Sequence, residues 1–299
     1  MKSLLLVIVI LLTPLVSKAD LKIFACEPEW AALAEEIGGQ KVKATSATNA
    51  LQDPHYIQAR PSLIAKVGRA DLVVCSGAEL EIGWLPMLLA KANNPDVLPG
   101  SAGFIEASMY VKRLDVAVSS DRSQGDVHPQ GNPHIQTNPH NISALTVVLT
   151  ERMVELDAEN ADYYQQRFED FKQRWTKAIT AWEKRAATLR GKRVIAHHKS
   201  WVYLQDWLGL EEVATLESVS GIPPTAGHLG SLLQHFSNHE GAEFIIRAPF
   251  QSEKASNWLS ERTGIPAVLL PLSVGGTDEA TDLFTWFDDI LNRLLNAAG

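Results

Sequence analysis

Several features are missing from this sequence, and each absence excludes a class of protein. The chain carries a net charge of −8 and has no long run of basic residues, so the sequence predicts no nucleic-acid surface. It has no low-complexity tract, no internal repeat and no local zinc motif such as HExxH. What is present is a globular composition: 299 residues, 45% of them hydrophobic. Such a chain suits one or two domains of about 100–200 residues each.

Cysteine is scarce as well, since the chain has only Cys26 and Cys75. Each ends an apolar run, LKIFAC or DLVVC, that is typical of a short buried strand. If the two strands are neighbours in one sheet, a disulfide could join their ends and would persist in an oxidising compartment. Two separate buried thiols are the alternative. A disulfide would remove both sulfurs as metal ligands.

The first residues, MKSLLLVIVILLTPLVSKAD, have the pattern of an export signal: Lys2, then an apolar stretch, then small residues before Asp20. The apolar stretch is shorter than the ~20 residues needed to span a bilayer. No cysteine stands at the cleavage point, so a lipid anchor there is not expected. We predict a signal peptide over 1–19 and a soluble secreted protein that begins near Asp20.

The remaining chain alternates short apolar runs with helical stretches, which is typical of a parallel sheet covered by helices. We predict an N-terminal α/β lobe over 20–157 and a C-terminal α/β lobe over 191–299. Between them, over 158–190, an apolar stripe predicts one long helix of roughly 40 Å that ties the lobes together. The stripe consists of Tyr164, Phe168, Phe171, Trp175, Ile179, Trp182, Ala186 and Leu189. Two such lobes place a cleft at the carboxyl ends of their strands, where ligands bind.

Histidines in two loops of the first lobe are candidate metal ligands. His55 comes directly after a proline, which restricts the turn and lowers the entropy lost when the imidazole binds. In the loop over 119–141, a turn presents His134 at the boundary of an element. His128, in the glycine-containing part of the same loop, is an auxiliary candidate.

Two stretches of the second lobe add further candidates. His197 and His198 both follow the buried strand RVIA, and the pattern alone does not choose between them. The stretch LLPLSVGGTDEATDL carries Asp278 and other carboxylates that could supply an oxygen ligand, although a solvated acidic turn is an equal alternative. Three histidines and one carboxylate suit a four-coordinate divalent metal, and zinc is the natural candidate for imidazole ligands.

Five local contexts, in order along nearly the whole mature chain, resemble the zinc/manganese class of ABC-importer solute-binding proteins. They are DPHYIQARPS, GRADLVVCSGAELEIGWL, GDVHPQGNPH, HHKSWVYLQDWLGL and ESVSGIPPTAGHL. The resemblance implies two parallel-sheet α/β lobes joined by one long rigid helix, with a metal in the cleft between the lobes. It also implies capture of metal in the periplasm and delivery to an inner-membrane permease driven by a cytoplasmic ATPase.

Carried over residue by residue, the resemblance places the first ligand on His55, the second on His134 and the third on His198. Relatives that bind manganese typically have a glutamate at the third position, so the histidine here favours Zn²⁺. An aspartate of the final lobe often completes the set; Asp278 is the nearest match, and water is the alternative. Of the long histidine- and acid-rich loop found in many zinc members, only His128 remains.

We therefore predict a monomeric periplasmic zinc-binding protein rather than an enzyme. Because neutral imidazoles bind the metal, its affinity should fall below pH ~6.5. One alternative is a binding protein or adhesin for manganese or another divalent metal. The other is a secreted zinc hydrolase, which would need a general base such as Glu217 or Asp278. No motif places either carboxylate beside a ligand.

Overall fold

The computed structural model describes residues 20–116, 125–237 and 241–299. The predicted signal peptide, 1–19, lies outside these residues. Within them the chain forms two four-stranded sheets, each covered by helices, and every strand pair is parallel. None of the helices in the described ranges combines the length and the hydropathy needed to cross a bilayer.

The first sheet has the strand order β2-β1-β3-β4. Its strands are β1 (Leu21–Ala25), β2 (Val42–Ser46), β3 (Leu72–Cys75) and β4 (Phe104–Glu106). The helices that follow its strands are α1 (Pro28–Gly38), α2 (Pro61–Val67) and α3 (Leu85–Ala92). Strand β3 is buried along its whole length, as expected of a central parallel strand with helices on both faces, and this explains its continuous apolar sequence.

The second sheet repeats this topology, with the order β6-β5-β7-β8. Its strands are β5 (Arg193–Ala196), β6 (Glu211–Thr215), β7 (Phe244–Arg247) and β8 (Ala267–Leu269). Its helices are α6 (Val202–Leu208), α7 (Ala226–Phe236), α8 (Glu253–Thr263) and α9 (Leu283–Ala297). The predicted fold class, two parallel α/β lobes, is confirmed. The two lobes share a strand order although they share no sequence repeat.

Two helices link the sheets: α4 (Pro139–Leu156) and the long α5 (Ala161–Arg185). A 3₁₀ turn over Ala158–Asn160 precedes α5, and another over Ala186–Leu189 follows it. The predicted stripe is the buried face of α5 and of the 3₁₀ turn after it, which holds Ala186 and Leu189, except that Phe168 is only half-buried. The long helix is therefore confirmed, with its regular α-helical part three residues shorter at the start and five residues shorter at the end than the predicted 158–190.

Helix α5 packs against both lobes at once. Towards the first lobe, Arg167 donates from Nε to the backbone oxygen of Glu36, near the end of α1, at 2.9 Å. Towards the second lobe, the Trp175 and Trp182 rings lie 5.6 and 5.2 Å from the Phe287 ring of α9, centroid to centroid. The contacts between these aromatic rings belong to one continuous apolar core that includes strands of both sheets. Because this core crosses from lobe to lobe, large hinge motion would have to break it.

Strands β1 and β3 are neighbours, as the apolar runs predicted. A disulfide joins Cys26 to Cys75 at the carboxyl ends of these strands, with the two Cα atoms 4.8 Å apart and both residues buried. The disulfide links two central strands at the carboxyl end of the sheet, where the loops that carry the first lobe's candidate ligands begin.

Candidate metal centre

Three histidines from both lobes meet at one point. His55 lies in the loop after β2, His134 lies just before the 3₁₀ turn that leads into α4, and His198 lies just after β5. Their ring centroids are 5.4 Å apart for His55 and His134, 5.7 Å for His55 and His198, and 6.1 Å for His134 and His198. One ring nitrogen from each lies within 4.8 Å of the other two. Such a separation suits three ligands around one cation.

His55 is held by its own loop. Its backbone N–H and its Nδ1 both contact Oδ1 of Asp53, at 3.0 and 2.7 Å, and Trp84 Nε1 donates to the oxygen of Pro54 at 2.9 Å. Burial alone would raise the pKa of the Asp53 carboxyl, but the hydrogen bonds and charge of His55 outweigh it and leave that pKa below its ordinary value. The Nδ1 position is therefore taken, and the buried Nε2 has no hydrogen-bond partner.

His134 is the most deeply buried of the three, with 1% of its surface exposed, and neither ring nitrogen has a hydrogen-bond partner. Burial, reinforced by the neighbouring His55 and His198, lowers the pKa of His134 well below its ordinary value. The ring is therefore neutral at pH 7, as a metal ligand must be. An unpaired polar group in such a position is costly unless something binds it.

His198 is oriented by a carboxylate from the neighbouring strand. Its Nδ1 lies 2.8 Å from Oε2 of Glu217, which comes two residues after β6. The same oxygen accepts the backbone N–H of Gly221 at 2.8 Å. With Nδ1 occupied, Nε2 is the nitrogen left for a metal. Carboxylates that fix ligand histidines in this way are typical of zinc sites.

A buried asparagine connects the ligand loops of the two lobes. Asn132, 4% exposed, accepts the backbone N–H of His134 on Oδ1 at 3.1 Å and donates from Nδ2 to the oxygen of Lys199 at 2.7 Å. Its backbone oxygen accepts the Tyr203 hydroxyl at 3.0 Å. Asn132 therefore fixes the distance between His134 and the residue next to His198.

The structure also places the remaining candidates. His128 is half-buried, and its ring centroid lies 5.4 Å from that of His55. His197 does not join the three histidines; its Nε2 lies 3.8 Å from Oε1 of Glu217, and burial lowers its pKa. Asp278 is exposed in the turn before α9 and is not part of the histidine group, so the geometry gives the predicted fourth ligand no support.

The supporting roles of Asp53, Glu217 and Asn132 were not predicted from the sequence. Asp53 had a detectable signal, because it stands two positions before His55, where its side chain can bond the backbone of the turn. Glu217 and Asn132 had none, since their contacts depend on how neighbouring strands and the two lobes meet. Among the described residues, a second possible metal group, Cys26, Cys75 and Glu81, has its sulfurs in the disulfide and leaves only one ligand.

Comparison with known proteins identifies the family of this chain. The family model described as "ZnuA: Zinc-uptake complex component A periplasmic" matches residues 23–297, almost the whole chain. The chain belongs to this family. Members of the ZnuA family are periplasmic metal-binding proteins that work with ABC transporters. No curated protein sequence matches the chain at a significant level.

Solved structures share the fold of this ZnuA-family chain. A crystal structure of ZnuA superimposes with a TM-score of 0.78 at 21% identity, covering 94% of this chain and 100% of that one. A zinc-bound deletion mutant of ZnuA gives 0.77 at 20% identity, covering 94% and 98%. The Mn-bound and Cd-bound forms of a periplasmic metal binding protein from Candidatus Liberibacter asiaticus give 0.73 and 0.74 at 17% identity, each covering 93% and 99%. Likeness at these identities shows the fold alone.

Proposed function

We propose that this protein captures Zn²⁺ in the periplasm and delivers it to the membrane permease of an ABC importer. One observation carries the proposal: three imidazoles from two lobes converge, and the buried ring nitrogens of His55 and His134 have no hydrogen-bond partner. A divalent cation would satisfy those nitrogens. Membership of a family of periplasmic metal-binding proteins supports the importer role.

The donor set supports zinc over manganese. Imidazole nitrogen suits Zn²⁺, whereas Mn²⁺ favours carboxylate and carbonyl oxygen. The nearby carboxylates of Asp53 and Glu217 are engaged by histidine Nδ1 atoms and act as supports for the ligands. Since structural neighbours carry zinc, manganese or cadmium, selectivity rests on these residues of the chain itself.

We assign Nε2 of His55, a ring nitrogen of His134 and Nε2 of His198 as the zinc ligands. For the fourth position we propose His128, which is half-buried and whose ring is as close to His55 as that of His134, in place of the exposed Asp278. Neither residue belongs to the group of three whose ligand atoms lie within 4.8 Å of one another. Capture involves no covalent chemistry, because the imidazole nitrogens only replace water molecules bound to the ion. Protons compete for the same nitrogens, so binding weakens in acid.

Competition titration of the mature protein with zinc and a chelator tests the assignment. We expect one zinc per chain and an affinity at least about 100-fold lower in His198→Ala, because one of the ligands is lost. His235→Ala, at an exposed position on α7, is the matched control and should bind as wild type. Full affinity in His198→Ala, or fewer than one zinc per wild-type chain, would overturn the proposal.

The fourth ligand and the metal need separate arms of the same experiment. His128→Ala should weaken zinc binding and shift the absorption spectrum of bound Co²⁺, whereas Asp278→Asn should change neither. The reverse result would restore Asp278. Zinc should displace manganese from the site at equal concentrations. Delivery is tested by growth: a deletion strain should fail under zinc starvation, and normal growth would favour an adhesin instead.

A further inference from the structure

Two loops touch each other on the solvent side of the three histidines. The first loop, 125–128, contacts Tyr56. The Tyr56 hydroxyl donates to the carboxylate of Asp126, at 3.2 Å from each oxygen. The second, 217–221, belongs to the other lobe, and the backbone N–H of Asp126 donates to the oxygen of Ser220 at 2.9 Å. The loops therefore bridge the cleft beside the site.

Two glycines allow this contact. A Cβ on Gly125 would lie 2.2 Å from the oxygen of Ser220, and a Cβ on Gly221 would lie 2.1 Å from Oδ2 of Asp126. Both glycines also have positive φ, +94° and +79°, which L side chains rarely adopt. The backbones approach this closely only because neither position has a side chain.

The contact is connected to the ligands at both ends. At one end, Tyr56 is the residue after His55. At the other end, Gly221 donates its N–H to the Glu217 oxygen that also contacts Nδ1 of His198. A change at the loop contact can therefore alter the position of His55 through its peptide bond to Tyr56, and that of His198 through the Glu217 carboxylate.

Tyr56 and Asp126 also stand between two small cavities that reach the histidines. One, of about 100 Å³, is lined by His55, His128 and residues of the first lobe. The other, of about 250 Å³, is lined by His55, His198 and residues of the second lobe. The two cavities share His55, Tyr56 and Asp126 in their walls. Separating Tyr56 from Asp126 would join them into one opening above the site.

We propose that Tyr56 and Asp126, closed against the backbone of 217–221, form a latch that sets the rate at which the bound metal leaves. The inference deepens the proposed zinc-binding function and rests on it. The latch is suited to opening, since Tyr56 is 65% exposed and water can replace its hydrogen bond when the loops separate. Release then needs a local movement of two loops and leaves the core between the lobes intact.

Stopped-flow release of zinc from the loaded mature protein into excess chelator tests the latch. Tyr56→Phe and Asp126→Asn should each speed release by about 3- to 10-fold, since each weakens one hydrogen bond. Zinc stoichiometry and the Co²⁺ absorption spectrum should stay as in wild type, because no ligand is altered. Tyr110→Phe, at an exposed tyrosine of the same lobe, should leave the release rate unchanged.

Gly221→Ala tests the close approach independently of the hydroxyl. Its Cβ would push Asp126 away, so release should again be faster. The control is Gly191→Ala, which has a similar φ of +77° and nothing within 4 Å of the added Cβ. If one latch is involved, the double variant Tyr56→Phe/Gly221→Ala releases zinc no faster than the faster single variant.

The outcomes distinguish failure of the latch from failure of the proposed zinc binding. Release rates within twofold of wild type in Tyr56→Phe and Asp126→Asn, with one zinc still bound, would overturn the latch and leave the zinc site standing. Rate effects that multiply in the double variant would also overturn it. A wild-type protein that binds no zinc would overturn the latch and the proposed function together.

Discussion

At the scale of single residues, His55 and His198 are presented in the same way. Each has Nδ1 against a carboxylate, Asp53 for one and Glu217 for the other. This arrangement places the proton on Nδ1 and a lone pair on Nε2, which is the tautomer that binds a metal through Nε2. His134 has no such carboxylate, and its neutrality comes from burial.

Replacing Glu217 by glutamine tests the value of this support. Glu217→Gln keeps the shape of the side chain but removes its charge, so the zinc affinity should fall by about 10-fold. Competition titration measures it. Glu211→Gln, at an exposed position on β6, is the control and should bind as wild type. An unchanged affinity in Glu217→Gln would mean that the carboxylate does not tune His198.

Asn132 allows a second test at this scale. Asn132→Asp keeps an oxygen for the N–H of His134 but can no longer donate to the backbone oxygen of Lys199. The hydrogen bond that holds the two ligand loops at a fixed distance is then lost. We expect an affinity loss of about 10-fold, from the weaker positioning of two ligands. Asn94→Asp loses two similar donations, to Val67 and Ala70, and is the control for the cost to folding alone. Equal zinc affinities in the two variants would refute the positioning role.

At the scale of elements, the helices and strands could be predicted from the periodicity of the sequence. The choice of ligand, which depends on contacts between distant residues, could not. The apolar stripe of α5 and the short apolar runs of the strands were readable, because burial repeats along each element. The choice between His197 and His198 was not readable, since β5 ends at Ala196 and the alternation of faces no longer applies beyond it. The resemblance to a family, rather than the periodicity, selected His198.

The packing of α5 on α9 yields a stability prediction. Phe287 is fully buried, and its ring lies against Trp175, Trp182 and Trp207. Phe287→Ala should lower the free energy of unfolding by about 3–5 kcal/mol, since it leaves a cavity in the core shared by both lobes. Phe287→Leu, which fills more of that space, should cost less. Thermal unfolding measures both, and equal losses would contradict a packing role.

At the scale of the whole molecule, a group of buried carboxylates lies at the junction of the lobes. Glu27, Glu29 and Glu81 are all buried, and the Ser273 hydroxyl, from the loop after β8, donates to Glu29. Burial raises the pKa of Glu29 to about 7 and that of Glu81 to about 7. The native protein therefore keeps protons that the unfolded chain releases near pH 4.5. Its free energy of unfolding falls as the pH rises from about 4.5 to 7.

Glu29→Gln removes this pH dependence at one position. At pH 8 the free energy of unfolding of the variant should exceed that of wild type by about 1–3 kcal/mol. At that pH the wild-type protein must either ionise the buried Glu29 carboxyl or keep it protonated above its pKa, and both cost stability. At pH 4.5 and below, the gain should vanish. Thermal unfolding with a chelator present, so that no metal contributes, gives the comparison. Glu35→Gln, exposed on the same helix, is the control. An equal shift at both pH values would contradict the assignment.

The disulfide at the carboxyl ends of β1 and β3 has a consequence for a cell under oxidative attack. Both cysteine sulfurs of the chain are joined in the disulfide, and the three converging side chains are imidazoles. Sites built on thiolates release their ions when peroxide or hypochlorite attacks the sulfur. This chain offers such oxidants no thiolate, so peroxide or hypochlorite would not displace a cation from its cleft by attacking a ligand sulfur.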